Sequence, residues 1–424
     1  MQINRHSILN LFIRGLTILS RFILLFCLGK FFSTDDLGTY GIFYTTVNLC
    51  LMTLGLDFYT FSNREVLYAE TKDRLSVLRN QLLFYLFTYA VFLFPMLLIF
   101  TYGVIPIKYV LFFYIILVFE HLSQEFYRLF TILSLPILAN WLLFLRNGLW
   151  VAMLIVVYWL FQIDEYSLSI VFTGWMIGSG LSVIIGFYKV FSLYGGYPAG
   201  RIEKTWFYSG IKTSALYFLS TIALITIDNL NRYLIKYWCG LSKVGVFTFF
   251  SQISNIINVV IFTLFIMVIY PKLVEAANSN DGVGFFRLKN ELLKKVVVYS
   301  VSIGILLIVF IFPMLYFINK PEYYSELSTF YLLVISTILL NISLVNHYVL
   351  YAFKKDSSLL YSTLIGAVAS VALNLFFISH FSILGAALSL SLSYLVLIIT
   401  KSFFSKKAEA DFIQKNILSG KKQR

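Results

Sequence analysis

The sequence predicts an all-α polytopic membrane protein with about twelve transmembrane helices. Hydrophobic residues make up 59% of its 424 positions and charged residues only 12%, whereas a soluble domain carries roughly 25% charged residues. Apolar runs of about 18 residues or more, the length that marks a membrane span, recur along the whole chain. These observations exclude a water-soluble fold, because too few charges are present to cover its surface.

Twelve segments have the length of a helix that crosses a hydrocarbon core of about 30 Å. They are predicted at residues 7–29, 37–57, 80–101, 107–128, 136–161, 167–189, 214–236, 244–268, 295–317, 324–347, 358–379 and 382–404. The first segment contains Arg14 and Arg21 and is not followed by a small-residue cleavage site. We therefore do not expect a cleavable signal peptide.

The distribution of basic residues predicts the orientation of the spans. With a cytoplasmic N-terminus, 24 of the 33 lysines and arginines fall on the cytoplasmic side and 6 on the opposite side, while the others lie within spans. This asymmetry follows the positive-inside rule, and it predicts a multi-pass inner-membrane protein with both termini in the cytoplasm. It also accounts for the net charge of +13, so no nucleic-acid partner is expected.

The longest predicted connections are both cytoplasmic, and the first contains a turn-rich stretch with three glycines and a proline. Such a stretch is typical of a boundary between compact parts of a chain. The predicted organisation is an N-terminal six-helix lobe (1–190), a cytoplasmic linker (191–213), a C-terminal six-helix lobe (214–404) and a basic cytoplasmic tail (405–424).

A weak internal repeat supports this division. An offset of about 207 residues aligns the segment Asp36–Tyr40 with Lys243–Phe247, and it aligns Asn48 with Asn255 at equal depth in helices two and eight. Because each lobe has six spans, the two lobes enter the membrane in the same direction, as in parallel-repeat transporters. The predicted fold is two pseudo-symmetric six-helix bundles around a central cavity.

The first helix carries a polar face in the middle of an apolar segment. Asn10, Arg14, Thr17 and Arg21 follow one another at i, i+4, i+7 and i+11, which keeps them on one side of the helix. Charge inside a bilayer is unfavourable, so intramembrane arginines are candidates for function. We interpret this face as the lining of a wet cavity that attracts anions; the alternative is that neighbouring helices satisfy both arginines.

Further polar positions in the spans extend the candidate cavity. Arg146 lies near the middle of helix five, close to Asn140 and Asn147, and Asn255 lies on a polar stripe of helix eight. Guanidinium groups bind phosphate oxygens in a bidentate fork and never lose their charge, so several arginines are suited to a pyrophosphate head group. Most of the small polar residues are equally suited to hydrogen bonding between helices.

Acidic residues in the spans are candidates for a gate or for ion coupling. Asp228 and Arg232 face the same way on helix seven, and the repeat offset makes Arg21 and Asp228 positional equivalents. The two could form a gate ion pair across the central axis, or Asp228 and Arg232 could form a local pair.

A second candidate for coupling lies on helix four. Glu120 and Glu125 flank His121 there, and Arg128 follows at i+3 from Glu125. This group is suited to proton or cation coupling, or to a simple interfacial ion pair.

The sequence contains no pattern that indicates an enzyme. It has no GxxxxGK[ST] phosphate-binding loop, no HExxH pair and no nucleophile elbow. The three cysteines are far apart and show no metal-ligand spacing, so neither a metal site nor a disulfide framework is expected. We therefore predict no catalytic residue and no cofactor, apart from coupling to a proton or sodium gradient.

Three stretches carry a family resemblance: Leu28–Asn48, Ile227–Ser251 and Asn374–Tyr394. In these stretches, and in its helix number and repeat, the sequence resembles the O-antigen flippase family of the multidrug/oligosaccharidyl-lipid/polysaccharide exporter superfamily. The resemblance implies alternating access by two lobes and an undecaprenyl-pyrophosphate-linked oligosaccharide as cargo, moved from the cytoplasmic to the periplasmic leaflet. It also implies an environment of membrane lipid and a polysaccharide polymerase as a candidate partner.

The resemblance assigns the role of cavity arginines to Arg14, Arg21 and Arg146. Lipid II flippases of the superfamily usually have two further C-terminal helices, so twelve spans favour O-antigen or capsule repeat units as cargo. Two alternative functions would require other sequence features. A cation-coupled drug exporter of the same fold would need a carboxylate-rich cavity, and a polysaccharide polymerase or ligase would need a large outer loop with catalytic arginines.

Overall fold

The computed structural model describes residues 5–161, 166–195 and 204–422, and the regular structure in these ranges is helical. The chain divides into two compact units, residues 1–218 and 219–424, called here the N-terminal and the C-terminal unit. The division falls inside a helix rather than in the predicted linker. Of that linker, residues 191–194 and 204–213 are helical, and residues 196–203 lie outside the described ranges.

Ten helices of the N-terminal unit are numbered in chain order, the last of which continues into the C-terminal unit. They are α1 (Arg5–Phe31), α2 (Thr34–Gly55), α3 (Tyr59–Tyr68), α4 (Arg74–Phe92), α5 (Leu98–Thr101), α6 (Val110–Ile132), α7 (Pro136–Phe144), α8 (Trp150–Phe161), α9 (Leu168–Tyr194) and α10 (Lys204–Cys239). A π-helical turn, Leu145–Leu149, joins α7 to α8, so that the two form one continuous span. Turns of this type occur frequently at functional sites.

The C-terminal unit continues with six further helices. They are α11 (Leu241–Ile261), α12 (Met267–Asn278), α13 (Gly282–Ile318), α14 (Pro321–Tyr324), α15 (Leu327–Ala352) and α16 (Asp356–Lys422). A second π-helical turn, Phe262–Ile266, joins α11 to α12. Within α16 the backbone is non-helical at Ser382, where two helical stretches meet.

The described residues contain ten helices long and apolar enough to cross a membrane, or eleven if α2 and α3 form one bent span. The axes of α2 and α3 differ by 52°, because Leu56 and Asp57 at the bend both have left-handed backbone angles. Counting the two stretches of α16 separately gives twelve, so the prediction of an all-α membrane protein with about twelve spans is confirmed. The multi-pass character of the chain follows from these helices.

The core of the N-terminal unit is aromatic. Phe43 of α2 stacks on Phe172 of α9 with ring centroids 4.0 Å apart, and Phe113 of α6 meets Phe43 edge-on. The α9 helix approaches its neighbours closely at glycines: a Cβ atom on Gly178 would lie 2.6 Å from the Trp150 ring. The glycines of this helix therefore permit close packing.

Helices of the C-terminal unit extend beyond the predicted spans into the connection 269–294 and into the tail. The expected loop 269–294 is almost entirely helical, because α12 reaches Asn278 and α13 begins at Gly282. The chain turns between these helices at Asn280, whose backbone is left-handed. The Asp281 side chain then caps α13 by accepting a hydrogen bond from the Gly284 amide. Polar residues in this part form helical extensions beyond the apolar segments, which a search for apolar runs does not detect.

The predicted basic tail also begins as a packed helix. The second stretch of α16 continues through residues 405–422, and Phe412 packs against Phe285 and Phe353. Lys289 of α13 donates a hydrogen bond to Glu409 at 2.6 Å. The apolar contacts and the ion pair therefore join residues 405–412 to the rest of the C-terminal unit.

The helix boundaries follow the predicted repeat. The α2 helix begins at residue 34 and α11 at residue 241, positions that differ by 207. The α4 and α13 helices begin at residues 74 and 282, which differ by 208. The offset found in short sequence matches thus also relates the starts of two pairs of long helices.

Candidate functional site

The arginine face of α1 contacts the helix that contains Asn140. The Arg14 Nε atom donates a hydrogen bond to Asn140 Oδ1 at 3.0 Å, and its Nη2 atom donates to the Tyr127 hydroxyl at 3.3 Å. The Asn140 amide in turn donates to Asn10 Oδ1 at 2.9 Å. Two of the predicted cavity residues, Asn10 and Arg14, therefore belong to one polar network on α1, α6 and α7.

Arg21 makes the equivalent contact two helical turns further along. Its Nη2 atom donates to Asn147 Oδ1 at 2.6 Å, and Asn147 lies in the π-helical turn after α7. In both pairs the arginine and the asparagine are 126 residues apart. Equal separations mean that α1 and the α7 span run in the same direction, as the first and fifth of successive membrane spans must do.

Arg21 lies near the middle of its span. It is about 18 Å from the start and about 15 Å from the end of the apolar segment Leu9–Phe31, at 1.5 Å per residue. The side chain is exposed, and within the described ranges no carboxylate forms an ion pair with it. A charged group at this depth requires a polar or water-filled surrounding.

Arg146 has a different environment from the arginines of α1. It is only 9% exposed, and its Nε atom lies 3.5 Å from Glu120 Oε2. The Trp175 indole N–H donates to the other oxygen of Glu120 at 2.7 Å. The structure therefore places both Arg146 and Glu120 in a neutralised, buried cluster between α6, α9 and the π-helical turn.

Glu125 is the centre of a second buried cluster. Its Oε2 atom accepts hydrogen bonds from Gln81 at 3.0 Å and from the Tyr85 hydroxyl at 2.7 Å, and its Oε1 atom pairs with Arg128 at 2.5 Å. The Arg128 guanidinium lies 3.6 Å from the centre of the Tyr59 ring. The predicted i, i+3 pair is present, and it holds α3, α4 and α6 together.

His121 lies one helical turn before Glu125 on α6, so these two side chains share a side of the helix. The His121 Nδ1 atom lies 2.6 Å from the Tyr89 hydroxyl, and the side chain is 1% exposed. The His121 ring also meets the Tyr85 ring edge-on with centroids 4.6 Å apart, and the Tyr85 hydroxyl donates to Glu125, whereas Glu120 is bound by Trp175 and Arg146. The coupling role of these residues stays a prediction.

In the C-terminal unit, the Asp228 and Arg232 side chains make their described hydrogen bonds to different partners. The Asp228 carboxylate accepts a hydrogen bond from the Tyr394 hydroxyl at 2.7 Å. Arg232 instead donates to the backbone oxygen of Asp228 at 3.2 Å and to Ser251 Oγ at 2.9 Å. The reason is geometric: the side chain of Arg232 turns toward α11, whereas that of Asp228 turns toward α16. The gate pair between Arg21 and Asp228 stays a prediction.

Lys401 was missed as a candidate. The charge count groups it with the cytoplasmic tail, at the end of the last predicted span, but the structure buries it to 1% exposure inside α16, where it interacts electrostatically with Asp228. Tyr394 was missed as well, since nothing in a single sequence relates it to a carboxylate 166 residues away. A lysine seven residues after a tyrosine on an otherwise apolar helix was the available signal.

Asn255, the remaining predicted cavity residue, is exposed on α11. Its side-chain oxygen accepts a weak hydrogen bond from Asn258 at 3.3 Å. Throughout the described ranges, no three His, Cys, Asp or Glu side chains are grouped as a metal site would require.

The fold of this chain is similar to that of solved membrane transporters. One structural neighbour is an inward-facing multidrug resistance MATE family transporter of the MOP superfamily, with a TM-score of 0.72 and 12% identity over 96% of this chain and 99% of the other. Another is the lipid II flippase MurJ in an inward closed conformation, with a TM-score of 0.73 and 13% identity over 97% of this chain and 90% of the other. No family model and no curated protein sequence matches the chain.

Proposed function

We propose that this protein is a flippase that moves an undecaprenyl-pyrophosphate-linked oligosaccharide, an O-antigen or capsule repeat unit, across the bacterial inner membrane. Its orientation in this proposal has both termini in the cytoplasm, and transport runs by alternating access toward the periplasmic leaflet. The observation that carries the proposal is the state of Arg21, an exposed cation near mid-span whose described hydrogen-bond partner is a neutral amide.

The chemistry of this face suits an anionic head group. Arg14 and Arg21 are seven residues apart on α1, which corresponds to about 10 Å along the helix axis. Amide groups of Asn10, Asn140 and Asn147 lie beside them. Guanidinium groups bind phosphate oxygens strongly in a low-dielectric setting, and amides hydrogen-bond sugar hydroxyls.

The shared fold supports lipid-linked cargo but also includes drug exporters. A lipid II flippase and multidrug transporters both resemble the chain. The intramembrane carboxylates favour the flippase, because Glu120, Glu125 and Asp228 each accept hydrogen bonds from protein side chains. A site for a cationic drug would need a carboxylate available to the drug.

Coupling to a proton or sodium gradient is part of the proposal. Asp228 and Glu125 are the acidic candidates for it, and Arg232 with Arg128 are their basic neighbours on the same helices. A polysaccharide polymerase that consumes the transported unit is the expected partner. Asn255 is assigned to the cargo-binding surface because it is exposed in a span.

The proposal is tested by reconstitution into liposomes. Transbilayer movement of a fluorescent undecaprenyl-pyrophosphate oligosaccharide is followed for the wild type and for Arg21→Ala, under an imposed potential and with proton and sodium gradients. Loss of one charge-assisted hydrogen bond to the cargo, about 1.5–3 kcal/mol, predicts a rate that is roughly ten- to hundredfold lower.

Two variants make the result specific. Leu19→Ala removes an exposed side chain of the same helix that carries no charge, and it should leave the rate unchanged. Arg21→Lys keeps the charge without the planar fork and should give an intermediate rate. Movement of a cationic dye, but not of the labelled lipid, by the wild type would favour the drug-exporter alternative.

A further inference from the structure

A polar cluster of the C-terminal unit contains Lys401, a buried cation on the second stretch of α16 that is only 1% exposed. It interacts electrostatically with Asp228 of α10, whose carboxylate also accepts the hydrogen bond from the Tyr394 hydroxyl at 2.7 Å. Within the described ranges no carboxylate forms a direct ion pair with the Lys401 ammonium. Charge is unfavourable inside a membrane span, so the state of this lysine depends on the acid near it.

His347 of α15 belongs to the same cluster. It interacts electrostatically with Lys401, and its residue is half-buried. The Nδ1 atom of its ring is buried and has no hydrogen-bond partner among the described residues. A neutral imidazole nitrogen accepts a proton, so His347 is chemically suited to receive one from a neighbouring ammonium.

The cluster extends along the direction of the spans. Asp228 lies about 16 Å before the end of α10, and Tyr394 lies about 18 Å after the bend at Ser382. Lys401 lies about 28 Å after the same bend, and His347 lies about 30 Å after the start of α15. Because successive spans alternate in direction, the end of α10, the start of α15 and the bend lie on the same side of the membrane. Asp228 is therefore near mid-depth in a hydrocarbon core of about 30 Å, and Lys401 and His347 lie closer to the opposite side, which is cytoplasmic under the predicted topology.

The charges around Asp228 favour a proton over a metal cation. Arg232 and Lys401 both interact electrostatically with its carboxylate, and Tyr394 and His347 are the other titratable groups described in the cluster. A sodium ion at this carboxylate would be repelled by two cationic side chains, whereas a proton forms an O–H bond and removes the negative charge. Of the two cations only the lysine can release a proton, because a guanidinium stays charged in proteins.

We propose that Asp228, Lys401 and His347 form a proton path through the C-terminal unit, and that the proton is the ion coupled to transport. The inference rests on the proposed flippase function for its cargo. The path itself consists of side chains of one unit and does not depend on which lipid is moved. Asp228 is exposed on α10, so a proton from the outer side can reach it.

Each step of the path moves one proton between two of these groups. A proton from the outer side forms an O–H bond with the Asp228 carboxylate, so the Lys401 ammonium loses its opposite charge. The ammonium then gives a proton to the Nδ1 lone pair of His347, and the resulting imidazolium releases a proton to the cytoplasmic side. The Asp228 carboxyl finally returns its proton to the Lys401 amine, whose flexible four-carbon stem lets it approach both neighbours. The starting state is restored, and one proton has crossed the membrane.

The steady-state distribution of cargo in liposomes tests the proposal. Liposomes that hold the protein in one orientation contain a fluorescent undecaprenyl-pyrophosphate oligosaccharide, the membrane potential is clamped at zero, and the outer side is made one pH unit more acidic. If one proton enters for each lipid that leaves, the ratio of labelled lipid between the leaflets should change about tenfold. A sodium gradient at equal pH should leave the ratio unchanged, and a response to sodium but not to pH would overturn the proposal.

Two pairs of variants assign the path to its residues. Lys401→Met and His347→Gln each remove a proton-carrying group and should abolish the response to the pH difference. Lys406→Met and His380→Gln change an exposed lysine and an exposed histidine of α16 and should retain the tenfold response. A full response in Lys401→Met or in His347→Gln would contradict the path.

A double variant separates a proton path from a purely structural ion pair. Asp228→Asn alone leaves a buried lysine without its acid and should lower the melting temperature, and adding Lys401→Met should recover most of the loss. The recovered protein should still show no response to the pH difference. If the response returned together with the stability, the two side chains would only hold the helices together, and the proposal would fail.

Infrared difference spectra distinguish a failure of the path from a failure of the proposed cargo. Acidification of the purified wild type should produce the C=O stretching band of a protonated carboxyl, and Asp228→Asn should remove that band. If the wild type moves no labelled lipid but shows the Asp228 band, the proposed cargo is wrong and the proton site is supported. If Asp228→Asn leaves the spectrum unchanged, the proton path is wrong whatever the cargo.

Discussion

The two units hold their buried arginines in different ways. In the N-terminal unit, Arg146 and Arg128 each pair with a glutamate, so that the charge of the packed helices is neutralised. In the C-terminal unit, Arg232 is 8% exposed and is bound by a backbone oxygen, a serine and Asn229. Residue type alone therefore does not indicate function; the exposure and the partners of each arginine do.

Arg21 differs from all three of these arginines. It is exposed near mid-span, and it donates a hydrogen bond to the neutral amide oxygen of Asn147 rather than to a carboxylate. A structural arginine would be neutralised or enclosed, whereas an arginine that binds cargo must remain accessible. This difference is why Arg21, and not Arg146, is the residue on which the proposed transport depends.

The largest expected effect comes from breaking the neutralised pair of the N-terminal unit. Glu120→Gln keeps an oxygen for the Trp175 indole but leaves Arg146 buried without an opposite charge, which should cost roughly 3–5 kcal/mol of unfolding free energy. Unfolding in detergent titrations measures this change. Adding Arg146→Met should recover most of the loss, and a double variant no more stable than Glu120→Gln would contradict the pairing.

Arg232→Met should have the next largest effect. The substitution removes charge-assisted hydrogen bonds to Ser251 and to the Asp228 backbone, at a cost of roughly 2–3 kcal/mol. The same unfolding assay applies, with Lys236→Met on the next turn of α10 as the matched control. If Arg232→Met had the unfolding free energy of the wild type, the hydrogen bonds of Arg232 would not stabilise the C-terminal unit. The proposed difference between the units in how they hold buried arginines would then fail.

A smaller effect is expected from substituting one closely packed glycine in each unit. A Cβ atom on Gly385 would overlap with the backbone oxygen of Phe377 beside the bend at Ser382, whereas one on Gly186 would meet the Phe126 ring. A side chain can move and a backbone turn cannot, so Gly385→Ala should cost about 2–3 kcal/mol and Gly186→Ala about 1 kcal/mol. Thermal unfolding of both variants measures the order, and a reversed order would refute this explanation.

The smallest effect is expected at the tail. The Lys289–Glu409 pair, with side-chain exposures of 19% and 12%, lies where the helices extend beyond the predicted apolar spans, and water at that level screens its charges, so we expect it to contribute about 1 kcal/mol or less. Glu409→Gln should lower the unfolding free energy by no more than this amount, and high salt should diminish the difference. A larger loss would show that residues 405–412 are essential to the C-terminal unit.

The sequence predicted those features that depend on local spacing. The face formed by Asn10, Arg14 and Arg21 follows from helical periodicity, and the break between 379 and 382 coincides with the bend at Ser382. Apolar runs located the spans because the bilayer imposes their length.

Features that depend on distant partners could not be predicted in this way. To assign different functions to Arg21 and Arg146, one must know that Asn147 contacts Arg21 and that Glu120 contacts Arg146. Lys401 was counted with the tail because a lysine at the end of a helix is expected to lie outside the membrane. In the structure its side chain is buried and interacts electrostatically with Asp228.

The central claim is that the Arg21 charge serves the cargo and that the Arg146 charge serves packing. One experiment compares Arg21→Gln with the neutral double variant Glu120→Gln/Arg146→Met, measuring both the melting temperature and the rate of labelled-lipid movement on the same preparations. We expect Arg21→Gln to melt like the wild type but to move the lipid roughly ten- to hundredfold more slowly. The double variant should retain the rate per folded protein. Full transport by Arg21→Gln, or a double variant that is stable but inactive, would contradict the claim.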